Sequence, residues 1–179
     1  MKVPAGRYSL RLSPSLAYEV DLPGTRYVDG GLYVHHPDAP GVFAVTSAPA
    51  DGTLLPRHPC TDKSEFTAGP TPQDLARELA AQPLLEVHDR TRVTLHGARG
   101  VYLEVRVPPD VDTTQCQDVG DTTDDIELFR TEGGERWSWA QGYVGRWWIL
   151  DVNGERVVVM NHCDRGCTKE DLATLTRMA

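Results

Sequence analysis

Arg146-Trp147-Trp148-Ile149-Leu150-Asp151-Val152-Asn153-Gly154-Glu155-Arg156-Val157-Val158-Val159-Met160 is the stretch whose reading decides the fold. Asn-Gly between two runs of β-branched and aromatic residues favours a two-residue type I′ hairpin, because both turn positions need positive φ. Counting outward from the turn pairs Asp151 with Arg156, a compatible pair of charges. Leu150 then faces Val157 and Trp148 faces Val159 on one side of the ribbon. Ile149 with Val158, and Trp147 with Met160, fall on the other. Both sides are apolar, which predicts central strands covered on each face.

The covers must come from upstream and downstream. Arg92–His96 and Val101–Val107 read as a second hairpin around Gly97–Gly100, with Val101, Leu103, Val105 and Val107 on one face. Pro108-Pro109 ends it, since proline cannot donate to a ladder. Further back, Thr71 caps a helix, Pro72 suits its first position and Asp74 completes the cap three residues on. Leu75/Leu79 and Ala76/Ala80 form its apolar stripe, and Pro83 limits it to Pro72 through Ala81 or Gln82. Tyr18, Val20 and Leu22 alternate with Glu19 and Asp21, the period of a half-buried strand. Leu32–Val34 and Val42–Val45 continue the N-terminal strands. Ala48–Pro70 lacks apolar periodicity and reads as a long loop held by Cys60, and Val111–Asp125 as an acidic loop around Cys116. Thr168 with Asp171 caps a second helix whose stripe starts at Leu172 and Leu175. The order predicts one α+β domain over residues 1–179, a mostly antiparallel central sheet with two helices.

Lys+Arg total 18 against Asp+Glu 26, a formal charge of −8, which disfavours nucleic acid and anionic lipid as partners. No apolar run approaches the roughly 20 residues of a membrane span, so direct membrane insertion is not expected. Four cysteines allow three pairings. Cys60–Cys116 with Cys163–Cys167 is favoured, because Gly166 gives the short ring its tight backbone. The rival is a zinc site using Cys163, Cys167 and His162 with Cys60 and His58, which lacks the matching second pair of such sites. Disulfides imply an oxidising, extracytoplasmic compartment, and with it an export leader, anchor or further domain outside residues 1–179.

Signatures of catalysis and of cofactor binding are missing: there is no G-x-S-x-G, H-E-x-x-H, phosphate-binding loop or dinucleotide fingerprint. No cofactor is therefore expected. The adjacent His35 and His36 point to opposite faces of a strand and make a poor metal pair. Asp118, Asp121, Asp124, Asp125 and Glu127 lack the spacing of a calcium loop and read as solvated. All four tryptophans lie within residues 137–148. Trp147 and Trp148 read as core. Trp137 and Trp139 share a strand face in a more polar stretch, and with Tyr143 and Arg146 they form the candidate ligand-binding wall.

Gly69-Pro70-Thr71 through Asp74-Leu75-Ala76, then Tyr102-Leu103-Glu104, Cys116 and Trp148 to Gly154 resemble secreted or lipid-anchored domains of unknown function in high-GC Gram-positive bacteria. That resemblance covers the chain from about residue 17 onward and implies an exported, membrane-tethered domain without assigning an activity. Cys60 and Cys116 match the cysteines expected there, while Cys163 and Cys167 look like an addition. The order of elements is also similar to PsbP-like domains, an α/β/α sandwich that binds partners, an analogy of fold only. The expectation is a non-enzymatic extracytoplasmic binding or sensor domain for a small molecule or protein. The alternatives are a hydrolase assembled from scattered residues such as His96, Glu104 and Asp151, and a structural tether.

Overall fold

A computed structural model of the chain describes residues 2–22, 26–29, 33–35, 41–113, 116, 125–131, 136–163, 167–168, 170–171 and 173. Fourteen strands and one helix are defined among them. The N-terminal strands are β1 (Lys2–Val3), β2 (Gly6–Arg11), β3 (Ala17–Leu22), β4 (Arg26–Asp29), β5 (Tyr33–His35) and β6 (Gly41–Ser47). β7 (Thr53–His58) and β8 (Asp62–Thr67) precede helix α1 (Pro72–Ala81). After it come β9 (Glu86–Leu95), β10 (Ala98–Arg106), β11 (Ile126–Thr131), β12 (Arg136–Trp139), β13 (Val144–Val152) and β14 (Glu155–Cys163).

The strands form three antiparallel sheets. Eight run in the order β1-β4-β5-β6-β14-β13-β10-β9, four in the order β12-β11-β7-β8, and β2 pairs with β3 alone. The fold is therefore mostly β, which corrects the expected α+β sheet with two helices and the α/β/α layering. The C-terminal cap does form, with the Thr168 hydroxyl and N–H donating to the Asp171 carboxylate at 2.7 and 2.8 Å. Leu172 and Leu175 lie outside the described residues.

The central hairpin has the register its turn dictates, from Asp151 opposite Arg156 to Trp147 opposite Met160. Asn153 and Gly154 take φ of 55° and 85°, the two positive values of a type I′ turn. The Asp151 carboxylate accepts from the Gly154 N–H at 2.8 Å, while Arg156 turns away from it to α1. The expected charge pair is thus replaced by separate backbone contacts of the two side chains. On its apolar faces the reading holds: β13 and β14 are central, flanked by β10 and β6.

One face carries Val101, Leu103, Trp147, Ile149, Val158 and Met160, packed with Leu75, Ala76 and Leu79 of α1 and with Leu55, Phe129 and Trp137 of the four-stranded sheet. The helix begins on the predicted reciprocal cap, Thr71 with Asp74. Arg156 is only 3% exposed and fixes α1 to the central hairpin. Its Nε donates to the Ala48 carbonyl at 2.7 Å. Its terminal nitrogens reach the carbonyls of Pro49, Gly69 and Thr71, so one guanidinium serves four backbone acceptors, of which Pro49 also takes the Thr53 hydroxyl and Thr71 the first N–H groups of the helix.

Three local readings change. Ala48–Pro70 is not a loop: β7 and β8 pair there. The β9–β10 turn is His96-Gly97, with φ of 49° and 87°, rather than Gly97–Gly100. β9 also starts at Glu86, because a bulge at Asp89 (φ 51°) lets Val87 and Arg92 oppose Val105 and Val101 on one face although their offset along β9 is an odd number of positions.

Candidate functional site

The predicted aromatic wall lies inside the molecule. Trp137 and Trp139 are 2% and 1% exposed, correcting their expected partial exposure. Trp137 stacks on Phe129 at 6.0 Å, and Trp147 meets Phe129 and Trp139 edge-on at 5.9 and 5.4 Å. Gly145 makes this possible, since a Cβ there would stand 2.6 Å from the Trp139 ring and 2.5 Å from the Asn161 carbonyl oxygen. Tyr143 is half-buried at the rim, 6.4 Å from Trp139 and 5.8 Å from His162 by ring centroids. Arg146 alternates onto the opposite face of β13, with its Nε 3.8 Å from Glu104 Oε2. The structure therefore joins Trp137, Trp139 and Tyr143 to the core and separates Arg146 from them.

His96, Glu104 and Asp151 are not brought together either. Glu104 sits opposite Arg146 and Asp151 opposite Arg99, five positions or about 16 Å apart along the ladder. They also fall on opposite faces of the sheet, because Asp151 follows the alternation of Trp147 and Ile149. His96 is in the β9–β10 turn.

The cysteines stand as Cys60–Cys116 and Cys163–Cys167, the pairing favoured above, and this fits an extracytoplasmic location. Bonded sulfurs are not available as zinc ligands. The His58 Nδ1 accepts from the N–H groups of Cys60 and Thr61, both at 3.2 Å, which makes it a turn-stabilising acceptor. In the acidic stretch, Asp118, Asp121 and Asp124 lie outside the described residues, as does His36. Glu127 is committed to Arg136 at 2.8 Å. No cluster suited to a metal ion occurs among the described residues, and none of their helices is long and apolar enough to cross a membrane.

What sequence reasoning missed is on the other face of the large sheet. There β2–β3 lies across β6 and β14. Val20 and Leu22 of the hairpin pack with Val34, Phe43, Val45 and Val157. This follows from strict alternation: Tyr8, Tyr18, Val20 and Leu22 point one way, while Arg7, Glu19 and Asp21 point the other. The outward set is charged, with Arg7 bridging Asp21 at 3.1 Å. Toward the hairpin tip the contact opens into a groove of about 200 Å³, lined by Leu16, Tyr18, Phe43, Leu150, Val157 and Val159, with Glu19 and His96 also on its walls. Burial pushes the Tyr18 hydroxyl well above its ordinary pKa, so the phenol stays neutral. The Tyr18-Val20-Leu22 alternation was the available signal for this site. It gives the inward face of one wall and nothing of the other.

A second cavity, of about 330 Å³, lies between α1 and β9 and is lined by Gln73, Ala76, Arg77, Arg90, Arg92 and Val101 among others. Arg77 is already held by Asp74 and Glu78, each at 2.9 Å. Arg90 and Arg92 are exposed on the edge strand β9, where charge protects an unpaired ladder. The apolar groove is the better-defined site. Compared with known proteins, the chain matches no family model, no curated protein and no solved structure.

Proposed function

We propose that the chain is an extracytoplasmic, non-enzymatic binding domain of a secreted, lipid-anchored or membrane protein, and that it holds a small apolar ligand in the groove between β2–β3 and the large sheet. The observation that carries this reading is the groove itself, about 200 Å³ and lined by apolar side chains from six strands and the β2–β3 turn. A dry hydrocarbon-lined cavity of about 150 Å³ is enough for benzene. The matching ligand is therefore a hydrocarbon group between benzene and indole in size, with any polar end toward His96. The disulfides support the compartment.

Indole is a suitable probe. Its titration should shift the methyl resonances of Leu150, Val157 and Val159 saturably and leave those of Leu75 and Leu79 in place. Leu150→Trp fills the groove and should abolish the shifts while the melting temperature stays within a few degrees. No saturable shift at millimolar indole, or unchanged binding in Leu150→Trp, would remove the reading.

A further inference from the structure

We propose that the β2–β3 hairpin is a flap that gates this groove, an inference resting on the ligand reading just given. The hairpin forms a sheet of its own, with no strand of the other two sheets paired to it among the described residues. It meets the large sheet through side chains, chiefly Val20 and Leu22. At its base both ends run into the edge of that sheet: β1 precedes β2, β4 follows β3, and β1 pairs with β4 through Lys2–Tyr27 and Val3–Arg26. The base is thus anchored by backbone pairing to the large sheet, while the body pairs only within itself among the described residues. Such a joint permits the hairpin to swing without disturbing the eight-stranded ladder.

The tip carries a latch. The Ser13 hydroxyl donates to Glu155 Oε2 at 3.1 Å and the Ser15 hydroxyl donates to Glu155 Oε1. Glu155 is the first residue of β14, beside the Asn153-Gly154 turn. A compact turn holds the two serines in place, with Leu12 N–H donating to the Leu16 carbonyl at 2.9 Å. Hairpin tip and central-hairpin turn, more than a hundred residues apart in the chain, are joined by one carboxylate directly beside the groove, whose walls include Leu12 and Leu16 of the tip and Val152 and Val157 of the central hairpin. Releasing the latch uncovers the apolar wall formed by Phe43, Val45, Val157 and Val159. Closing it over a ligand removes that wall from water.

A two-stranded hairpin is marginally stable alone in water, so detachment exposes its amides to exchange, and hydrogen exchange on the full chain reads the opening. In the wild type, amides of β2–β3 should exchange at least about tenfold faster than those of β13–β14. Ser13→Ala/Ser15→Ala, which removes both hydrogen bonds to a charged acceptor, should speed the hairpin alone by about tenfold. Saturating indole should slow the hairpin's exchange. If β2–β3 and β13–β14 share one rate in both proteins, the hairpin opens only with global unfolding and the flap is overturned while indole binding stands. An unchanged hairpin rate with indole bound also overturns it. An independently opening hairpin with no indole binding overturns the ligand reading, and the gate with it.

Discussion

The two faces of the eight-stranded sheet are covered in unequal ways. One lies under α1 and a four-stranded sheet, with Trp137, Trp139, Trp147 and Phe129 interlocked between the layers. Among the described residues, the other lies under a single hairpin whose buried contribution is Val20 and Leu22. Where the heavy cover is packed to interior density it leaves no apolar space, and the cavity at its margin beside α1 is lined in large part by arginines. A thin cover attached at its ends does leave such space, and the apolar groove is found on that side. The comparison teaches that the aromatic concentration marks the stable half of the molecule, and the plain aliphatic hairpin marks the adaptable half.

Truncations on the two faces give the largest effect. Trp147→Ala empties a fully buried ring position and should cost about 4 kcal/mol in urea unfolding, whereas Leu22→Ala should cost about 2 kcal/mol, at the low end for a buried leucine. Equal losses would mean that the covers are equivalent and would break the comparison.

A smaller effect sharpens how the heavy cover is fixed. Arg156→Met keeps the bulk but leaves the carbonyls of Ala48, Pro49, Gly69 and Thr71 without their shared donor, an expected loss of about 3 kcal/mol. Exchange in α1 should accelerate with it. A variant as stable as the wild type would show that α1 is held by its apolar stripe alone.

Acid gives the smallest effect and separates the covers by charge. The Thr71 hydroxyl and N–H, with Arg77, hold the Asp74 carboxylate below its ordinary pKa. On the flap, the Arg7 guanidinium does the same to Asp21. A carboxylate with a lowered folded-state pKa contributes its stabilisation fully above the unfolded value and loses it as pH falls through the folded one. Asp74→Asn should therefore flatten the fall in global stability below about pH 4. Asp21→Asn should flatten only the acid acceleration of β2–β3 exchange. If Asp21→Asn changes the global curve as much as Asp74→Asn does, the hairpin is an integral layer and not a flap.

Legibility follows the same division. The Asn153-Gly154 hairpin, the Thr71–Asp74 cap, helix Pro72–Ala81 and the alternation of Tyr18, Val20 and Leu22 were all readable, because each is specified by residues within a few positions of one another. The β7–β8 pair was not. Pro56 interrupts it near a register shift, and its apolar residues have no period. The first half of β9 was hidden by the bulge at Asp89, which breaks the two-residue repeat. The candidate site was legible only as one wall of the groove, and the residues first chosen for binding, Trp137 and Trp139, were hidden by a neighbouring sheet.

The sequence by itself determined the central ribbon with its register, the first helix with its cap and the excess of acid over base, and it favoured the disulfide pairs without fixing them. Each rests on local backbone preference, short-range pairing or composition. Only the tertiary structure decided that most of the described residues are strand, which sheet covers which face, that Trp137 and Trp139 point inward, and that Ser13 and Ser15 meet Glu155. Those outcomes depend on contacts between segments far apart in the chain, where a strand's alternation names two faces but leaves open which of them another layer will bury.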